Sequence, residues 1–340
     1  MGQGIGIQRV TVPTDNGKLV TGNPTRSVVL RIRNELLSTE DTVCLERARL
    51  VTEAYQCFED DPPALKQAKK FAHVLRTMTL DVATNPFFAG NTSTRPRGWM
   101  LVPEYGLRYP PQIIHENPQL EGLLEGQIPQ EMVDYWADRG FGGNAGIGHL
   151  AVDLDRVVHE GLAAIVAEAE RCAGVGTELE QVTRKAMIIA LQAVMDWAGR
   201  YAEAADAAAR RAADPLIRAA HLRVAEACRR VPAQPARDLF EGLQAIVLIH
   251  LALHIEGHGL SVSIGLPDRI LAPFVDDSLD LVETVDLVGA FLLKIAANSI
   301  FGRGSKTQAI TIGGANHAGV DQSNRLTRAF LDACDLVRVG

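Results

Sequence analysis

His250, His254 and His258 recur at i, i+4 spacing. On a helix that spacing stacks three imidazoles along one face, with His258 past the helix end. Two such histidines and a carboxylate can hold a zinc ion. The nearest carboxylate, Glu256, lies about 160° around a helix from His254, and the H-E-x-x-H context is missing. The reading carried forward is a helix lining a polar cavity, its histidines hydrogen-bonded to neighbours, with no metal assigned. Ser261-Val262-Ser263 follows a glycine turn, with Asp268 shortly after. Alternate residues of an extended segment point the same way, so both hydroxyls can face one cavity. A serine nucleophile needs a positioned base. Histidines are near, but the G-x-S-x-G elbow is missing, and two serines capping a turn are the simpler reading.

Gly142 to His149, GGNAGIGH, is the densest glycine run. Its N–H groups can form a nest for an anion ahead of a helix beginning near Asp153. It lacks the Lys-Ser/Thr ending of a P-loop and follows no recognisable strand, so a flexible connection accounts for it equally. Cys44 and Cys57 fall on expected helices without an activating partner and read as buried thiols.

These groups must be held by a mainly helical chain with a few strands. Residues 1–25 show no sustained period and read as an arm. Helical pattern runs from Ser27 through Leu37. A second helix follows Ser38-Thr39-Glu40-Asp41, with Leu45, Ala48 and Thr52 on one face, and stops at Pro62-Pro63. A third spans Ala64 to Asp81, and residues 82–147 are mixed, with Pro and Gly clusters marking loops. Asp153 to Cys172 reads as one helix burying Val157, Ile165 and Ala169. Gln181 to Arg211 reads as a helix of unusual length, with Ile188, Leu191 and Met195 on one face and alanines sustaining propensity beyond Tyr201. Asp238 and Glu241 open the next helix, and Gly257 and Gly259 close it. Gln308 to Ile312, ended by Gly313-Gly314, is the clearest strand.

With 340 residues, 47% of them hydrophobic and 22% charged, the chain is an ordinary globular composition, long enough for one large or two modest domains. A net charge of -7 without a Lys/Arg cluster excludes a nucleic-acid footprint. Five cysteines, an odd count with no C-x-x-C pair and no signal peptide, point to reduced thiols in the cytoplasm. The longest apolar run, Ala245 to Ile255, is broken by His250 and His254 and is too short to span a bilayer, so no membrane partner is expected.

Short motifs recur in a telling order. They run from Arg31 and Arg33 through Cys44-Leu45-Glu46-Arg47-Ala48, Thr52-Glu53, Gly90-Asn91-Thr92, Arg97-Gly98 and Pro103-Glu104-Tyr105. Then come Gly148-His149, Asp153, Gly161-Leu162, Arg200-Tyr201-Ala202, and Glu256 to Pro273. Gly313-Gly314, Gly319, Asp321, Asn324 and Leu326-Thr327 close the series. In this order they resemble the glycyl radical enzymes, the family of pyruvate formate-lyase and the glycerol, choline and hydroxyproline lyases. The family reads Glu-x-Asn-Gly-x-Ser-x-Ser-x-Gly-Arg-x-Asp-Gln-Tyr where this chain has His258 for asparagine, Leu266 for arginine, Arg269 for glutamine and Ile270 for tyrosine. Losing the arginine removes a planar five-donor fork that leucine cannot replace.

The resemblance implies an α/β, predominantly helical fold. Residues 26–340 would be an incomplete pyruvate formate-lyase-like domain: the N-terminal helical shell and part of the first half of a ten-stranded α/β barrel. It implies radical cleavage of a C–C, C–O or C–N bond in a small polar substrate, with His149, Asp153, His258, Ser261 and Ser263 as substrate-side groups and none of them catalytic. The thiyl cysteine loop and the glycyl radical loop, Arg-Val-x-Gly-Tyr, are not in this sequence, and Cys334 sits in a helical context instead. By resemblance, then, no cofactor binds here. The glycyl radical belongs to a C-terminal part and is installed by a radical-SAM activating enzyme. If the enzyme is split, a C-terminal glycyl radical polypeptide is the partner, and the isolated chain is expected to be inactive and to self-associate. A non-catalytic helical binding or scaffold protein is the alternative, and a histidine metal site on one helix a third reading.

Overall fold

The computed structural model describes residues 11–12, 20–21, 23–40, 42–105, 126–141, 149–257, 261–276, 278–297 and 308–339. Two short strands, β1 (Thr11–Val12) and β2 (Val20–Thr21), pair antiparallel near the N-terminus. Helix α1 (Pro24–Ser38) starts where Asn23 accepts from the Thr25 N–H and Pro24 fills the first turn, and it buries Val28, Val29, Ile32 and Leu36. Strand β3 (Thr42–Cys44) precedes α2 (Glu46–Cys57), so Cys44 lies on a strand and not on a helix. α2 buries Ala48 and Thr52 as the pattern requires, while Leu45 stands at its N-cap.

Helix α3 (Pro63–Thr77) ends four residues earlier than the sequence pattern predicts. The reason is a pair of long-range caps. The Arg200 guanidinium donates to the carbonyls of Leu75 at 2.5 Å and Met78 at 2.8 Å, and the Glu46 carboxylate accepts from the Thr79 N–H at 3.1 Å. Strand β4 (Gly98–Met100) runs parallel to β3, with Thr42 opposite Gly98 and Cys44 opposite Met100. Helix α4 (Gln130–Asp138) is anchored by Trp136, whose indole N–H donates to Thr52 Oγ1 at 2.7 Å.

After β5 (His149–Ala151), the single helix expected over 153–172 is two: α5 (Leu154–His159) and α6 (Leu162–Arg171). Gly161 makes the break, at φ +81°, and a Cβ there would lie 2.5 Å from the Ala233 carbonyl oxygen. The first N–H groups of α6 are instead satisfied across the chain, Leu162 by the Pro232 carbonyl and Ala163 by that of Ala233. Helix α7 (Glu178–Arg211) ends at Arg211 as expected but starts three residues before Gln181, opened by a Thr177/Glu180 capping box. Its buried alanines let α3 and α8 (Pro215–Arg230) lie close along it.

Helix α9 (Leu239–Glu256) is the centre of the molecule. Asp238 caps it by accepting from the Glu241 N–H, and every residue but Leu253 and Glu256 is buried. It is long and apolar enough to cross a membrane, but 89% of it is buried inside the protein, which marks a core helix. Gly257, at φ +110°, ends it. Then come β6 (Ser261–Ser263), the short α10 (Pro267–Ile270), α11 (Leu281–Ala296) and α12 (Arg325–Val337). One apolar core runs from Val28 on α1 to Val337 on α12.

Candidate functional site

The polar residues that carry the motif pattern divide into two sets. The first set braces the shell. Around the C-terminal end of α9, Arg47 donates from Nε to the Ile255 carbonyl at 2.7 Å and from Nη2 to the Glu256 carbonyl at 3.0 Å. The same guanidinium grips Glu104 bidentately at 3.0 and 2.6 Å, and Lys70 Nζ reaches Glu104 at 3.1 Å. All three side chains are buried. Burial pushes the Glu104 carboxyl up, but Arg47 and Lys70 outweigh it and hold it down at about 2. Burial lowers Lys70, with Glu104 opposing.

The irregular segment between α3 and β4 is held in the same way. Gln244 pairs its side-chain amide with the backbone of Ala89, accepting from N–H at 2.9 Å and donating to C=O at 3.2 Å. Asn91 accepts from the Asp81 N–H and the Tyr201 hydroxyl, and donates to the carbonyls of Thr79 and Ser93. Gly90, at φ +122°, sits where a Cβ would be 2.5 Å from Leu251 Cδ1, so this segment presses directly on α9. Arg47, Glu104, Asn91, Arg200 and Tyr201 are therefore scaffold groups with their bonding used up.

The second set lies beyond α9, on a small parallel ledge. β5 pairs with β6 in the register His149↔Ser261, Leu150↔Val262 and Ala151↔Ser263. The ledge continues through Gly265, which bridges Ile310; the Ile264 N–H donates to the Ala309 carbonyl at 3.1 Å and the Thr311 N–H to that of Gly265 at 2.8 Å. Among the described residues, Ile310 is the one position of the expected 308–312 strand that bridges a neighbour. Val262 and Ile264 are buried and alternate with the serine positions, and Ser263 is half-buried.

His149 and Ser261 are thus neighbours by register, and Ser263 is two positions along the same strand. Asp153 is exposed and already engaged: its carboxylate caps α5 by accepting from the Arg156 N–H at 3.1 Å. His258 and the glycine run 142–148 lie outside the described residues. His250 and His254 are buried together, rings 4.6 Å apart and steeply inclined, with Nε2 atoms 3.2 Å apart. Burial and then His254 hold His250 well below the usual histidine range. Glu256 turns away from both, accepting from Gln67 at 2.6 Å.

Three residues that the sequence reading named without a role at the site shape this end. Gln308 lies 3.1 Å from the His254 ring nitrogen. Asp268, fully buried, accepts from the Gly313 N–H at 2.7 Å and the Thr327 hydroxyl at 2.5 Å, and its carbonyl accepts from Asn324. Arg269, which stands in place of the family's glutamine, donates from Nε to the Gly313 carbonyl at 3.0 Å. The Arg269 guanidinium grips the Gly313-Gly314 turn. The only signal for these residues was their order in the chain. Cys44 is buried, but Cys57 ends α2 exposed, against expectation; Cys334 is exposed on α12. A cleft of about 450 Å³ opens at the other end of α9, between Thr25, Arg223, Asp238, Phe240 and Glu283. An 18-residue helix separates it from the ledge by roughly 25 Å, so it is no part of this site.

Comparison with known proteins identifies the family and the fold. Residues 23–339 match the family described as Pyruvate formate lyase-like. The chain is 28% identical to the probable dehydratase YbiW of Escherichia coli K12, over 87% of this chain and 43% of that protein. It is 26% identical to the (2S)-3-sulfopropanediol dehydratase of Klebsiella oxytoca, over 89% and 44%. A glycyl radical enzyme from Archaeoglobus fulgidus superposes with a TM-score of 0.78 at 24% identity, over 92% of this chain and 46% of that one. The chain belongs to the pyruvate formate-lyase-like family, and its fold is that of the N-terminal portion of a glycyl radical enzyme barrel. It spans about half the length of the curated relatives it matches.

Proposed function

We propose that this chain supplies the substrate-side wall of a glycyl radical dehydratase or lyase acting on a small polar substrate. The observation that carries this reading is the β5–β6 register, which sets His149 opposite Ser261 and brings Ser263 into the same ledge. Two relatives at 28% and 26% identity bear dehydratase names. In this reading His149, Ser261, Ser263 and His258 orient the substrate by hydrogen bonds, and Asp153 fixes the start of α5 beside them. They do not themselves start the reaction. The thiyl cysteine and the glycyl radical come from the barrel half that this sequence does not contain, with the radical installed by a radical-SAM activase. If that half is a separate polypeptide, it is this chain's partner. Among the described residues β5 pairs on one side only and carries an exposed Leu150, as a surface awaiting a further strand would. The isolated chain is accordingly expected to self-associate, and we place it in the cytoplasm with its thiols reduced.

The test is a reassembled complex: this chain, a polypeptide carrying the cysteine and glycyl loops, and the activase, under anaerobic conditions. Ser261→Ala and His149→Ala are expected to lower turnover about ten- to a hundred-fold, the worth of a lost polar substrate contact of about 1–3 kcal/mol, while melting temperatures stay near that of the unmodified chain. Unchanged turnover in both variants would remove these residues from the site.

A further inference from the structure

We propose that His250, His254 and Gln308 form a site for one divalent cation of the zinc class, which clamps the C-terminal end of α9 to the segment beginning at residue 308. Both imidazoles are buried, at 1% and 2% exposure. His254 Nε2 lies 3.2 Å from His250 Nε2 and 3.1 Å from Gln308 Nε2. Within this trio the hydrogen bonding is uneven. A neutral imidazole nitrogen has either one hydrogen or one lone pair in the ring plane, yet His254 Nε2 faces two partners with it. Gln308 Oε1 meanwhile is buried without any hydrogen-bond partner.

Rotating the Gln308 amide by half a turn, an exchange of O and N that leaves its shape unchanged, brings Oε1 towards His254. The two imidazole nitrogens, 3.2 Å apart, and an amide oxygen beside one of them would then offer three donors to a shared ion. The spacing suits a tetrahedral ion. Two nitrogens 3.2 Å apart, each about 2.0–2.1 Å from a shared ion, subtend an angle of roughly 100° there, close to the tetrahedral value. A water or an anion would complete the set. Among the described residues no three His, Cys, Asp or Glu side chains form a metal cluster; the third donor here is an amide. Gln308 lies 54 residues from His254, which is why the i, i+4 histidine pattern alone did not disclose the site. This inference stands apart from the proposed radical chemistry and needs no second polypeptide.

Tag-free, metal-free full-length chain is titrated with Co2+ alone, following visible d–d bands, and then challenged with Zn2+. We expect one equivalent of Co2+ with intense tetrahedral-type bands that Zn2+ abolishes. His254→Gln is expected to weaken binding at least about 100-fold and Gln308→Leu about 10-fold, with the exposed His317→Gln unchanged. Should His254→Gln not fold, the partly exposed Gln308→Leu and the Zn2+ competition decide. Absence of tetrahedral bands in the unmodified chain, or Co2+ affinity unaltered in the folded variants at 254 or 308, overturns the proposal.

Discussion

The brace around the end of α9 and the ledge just beyond it use the same kinds of side chain for opposite purposes. In the brace, Arg47, Glu104 and Lys70 satisfy one another and the last carbonyls of α9. Gln244 and Asn91 likewise spend their amides on backbone. On the ledge the strands are three residues long. Among the described residues, five buried side-chain polar atoms lack a hydrogen-bond partner, and three of them, on His250, Asp268 and Gln308, lie at this end. A buried polar atom without a partner costs about 1–3 kcal/mol, so this end is less fully satisfied than the brace. The brace fixes the last carbonyls of α9, the helix that precedes β6 in the chain.

Four measurements would break or sharpen that contrast. The largest effect is expected in the brace: Glu104→Gln leaves two buried cations with one carboxylate fewer and should destabilise by about 3–5 kcal/mol in urea unfolding. A loss under about 1 kcal/mol would show that the cluster is not a brace. Next comes acid. Glu104 is held at about 2 in the folded chain, below its ordinary value of 4.5. Its stabilisation is therefore fully present above pH 4.5 and is lost as pH falls towards 2, by up to about 3 kcal/mol. In Glu104→Gln this part of the acid unfolding profile should flatten; an unaltered profile would assign acid lability elsewhere. Third, Gly161→Ala must force a Cβ into the Ala233 carbonyl at a positive φ and should cost about 1–3 kcal/mol, read as a lower melting temperature. The smallest effect belongs to the ledge: Ser263→Ala should alter stability by less than about 0.5 kcal/mol. A larger loss would make Ser263 a structural residue and weaken the distinction.

Local signals in the chain were legible where local physics decides. The 34-residue α7, the Asp238 cap and the glycine stop of α9 follow from propensity, capping and backbone freedom within a few residues. The expected helix over 153–172 failed because its break depends on carbonyls at 232 and 233, some seventy residues away in sequence. The 308–312 segment looked like a full strand, yet strand pairing is decided by the neighbour, and Gly265 offers it a single bridge. On the ledge, Ser261 and Ser263 stood out by alternation and by the order of motifs, and His149 by the order of motifs. Their adjacency is a matter of sheet register, and the pairing of His254 with Gln308 one of topology; neither is written in any local pattern.

The most direct test of the account is electron paramagnetic resonance after anaerobic incubation with a radical-SAM activase and S-adenosylmethionine. Alone, this chain should give no organic-radical signal, because no glycine in it has the Arg-Val-x-Gly-Tyr context. Together with a polypeptide carrying the cysteine and glycyl loops, the mixture should show a glycyl doublet and turn over a small polar substrate. A doublet assigned to this chain alone, or a radical-bearing complex whose turnover does not depend on this chain, would contradict it.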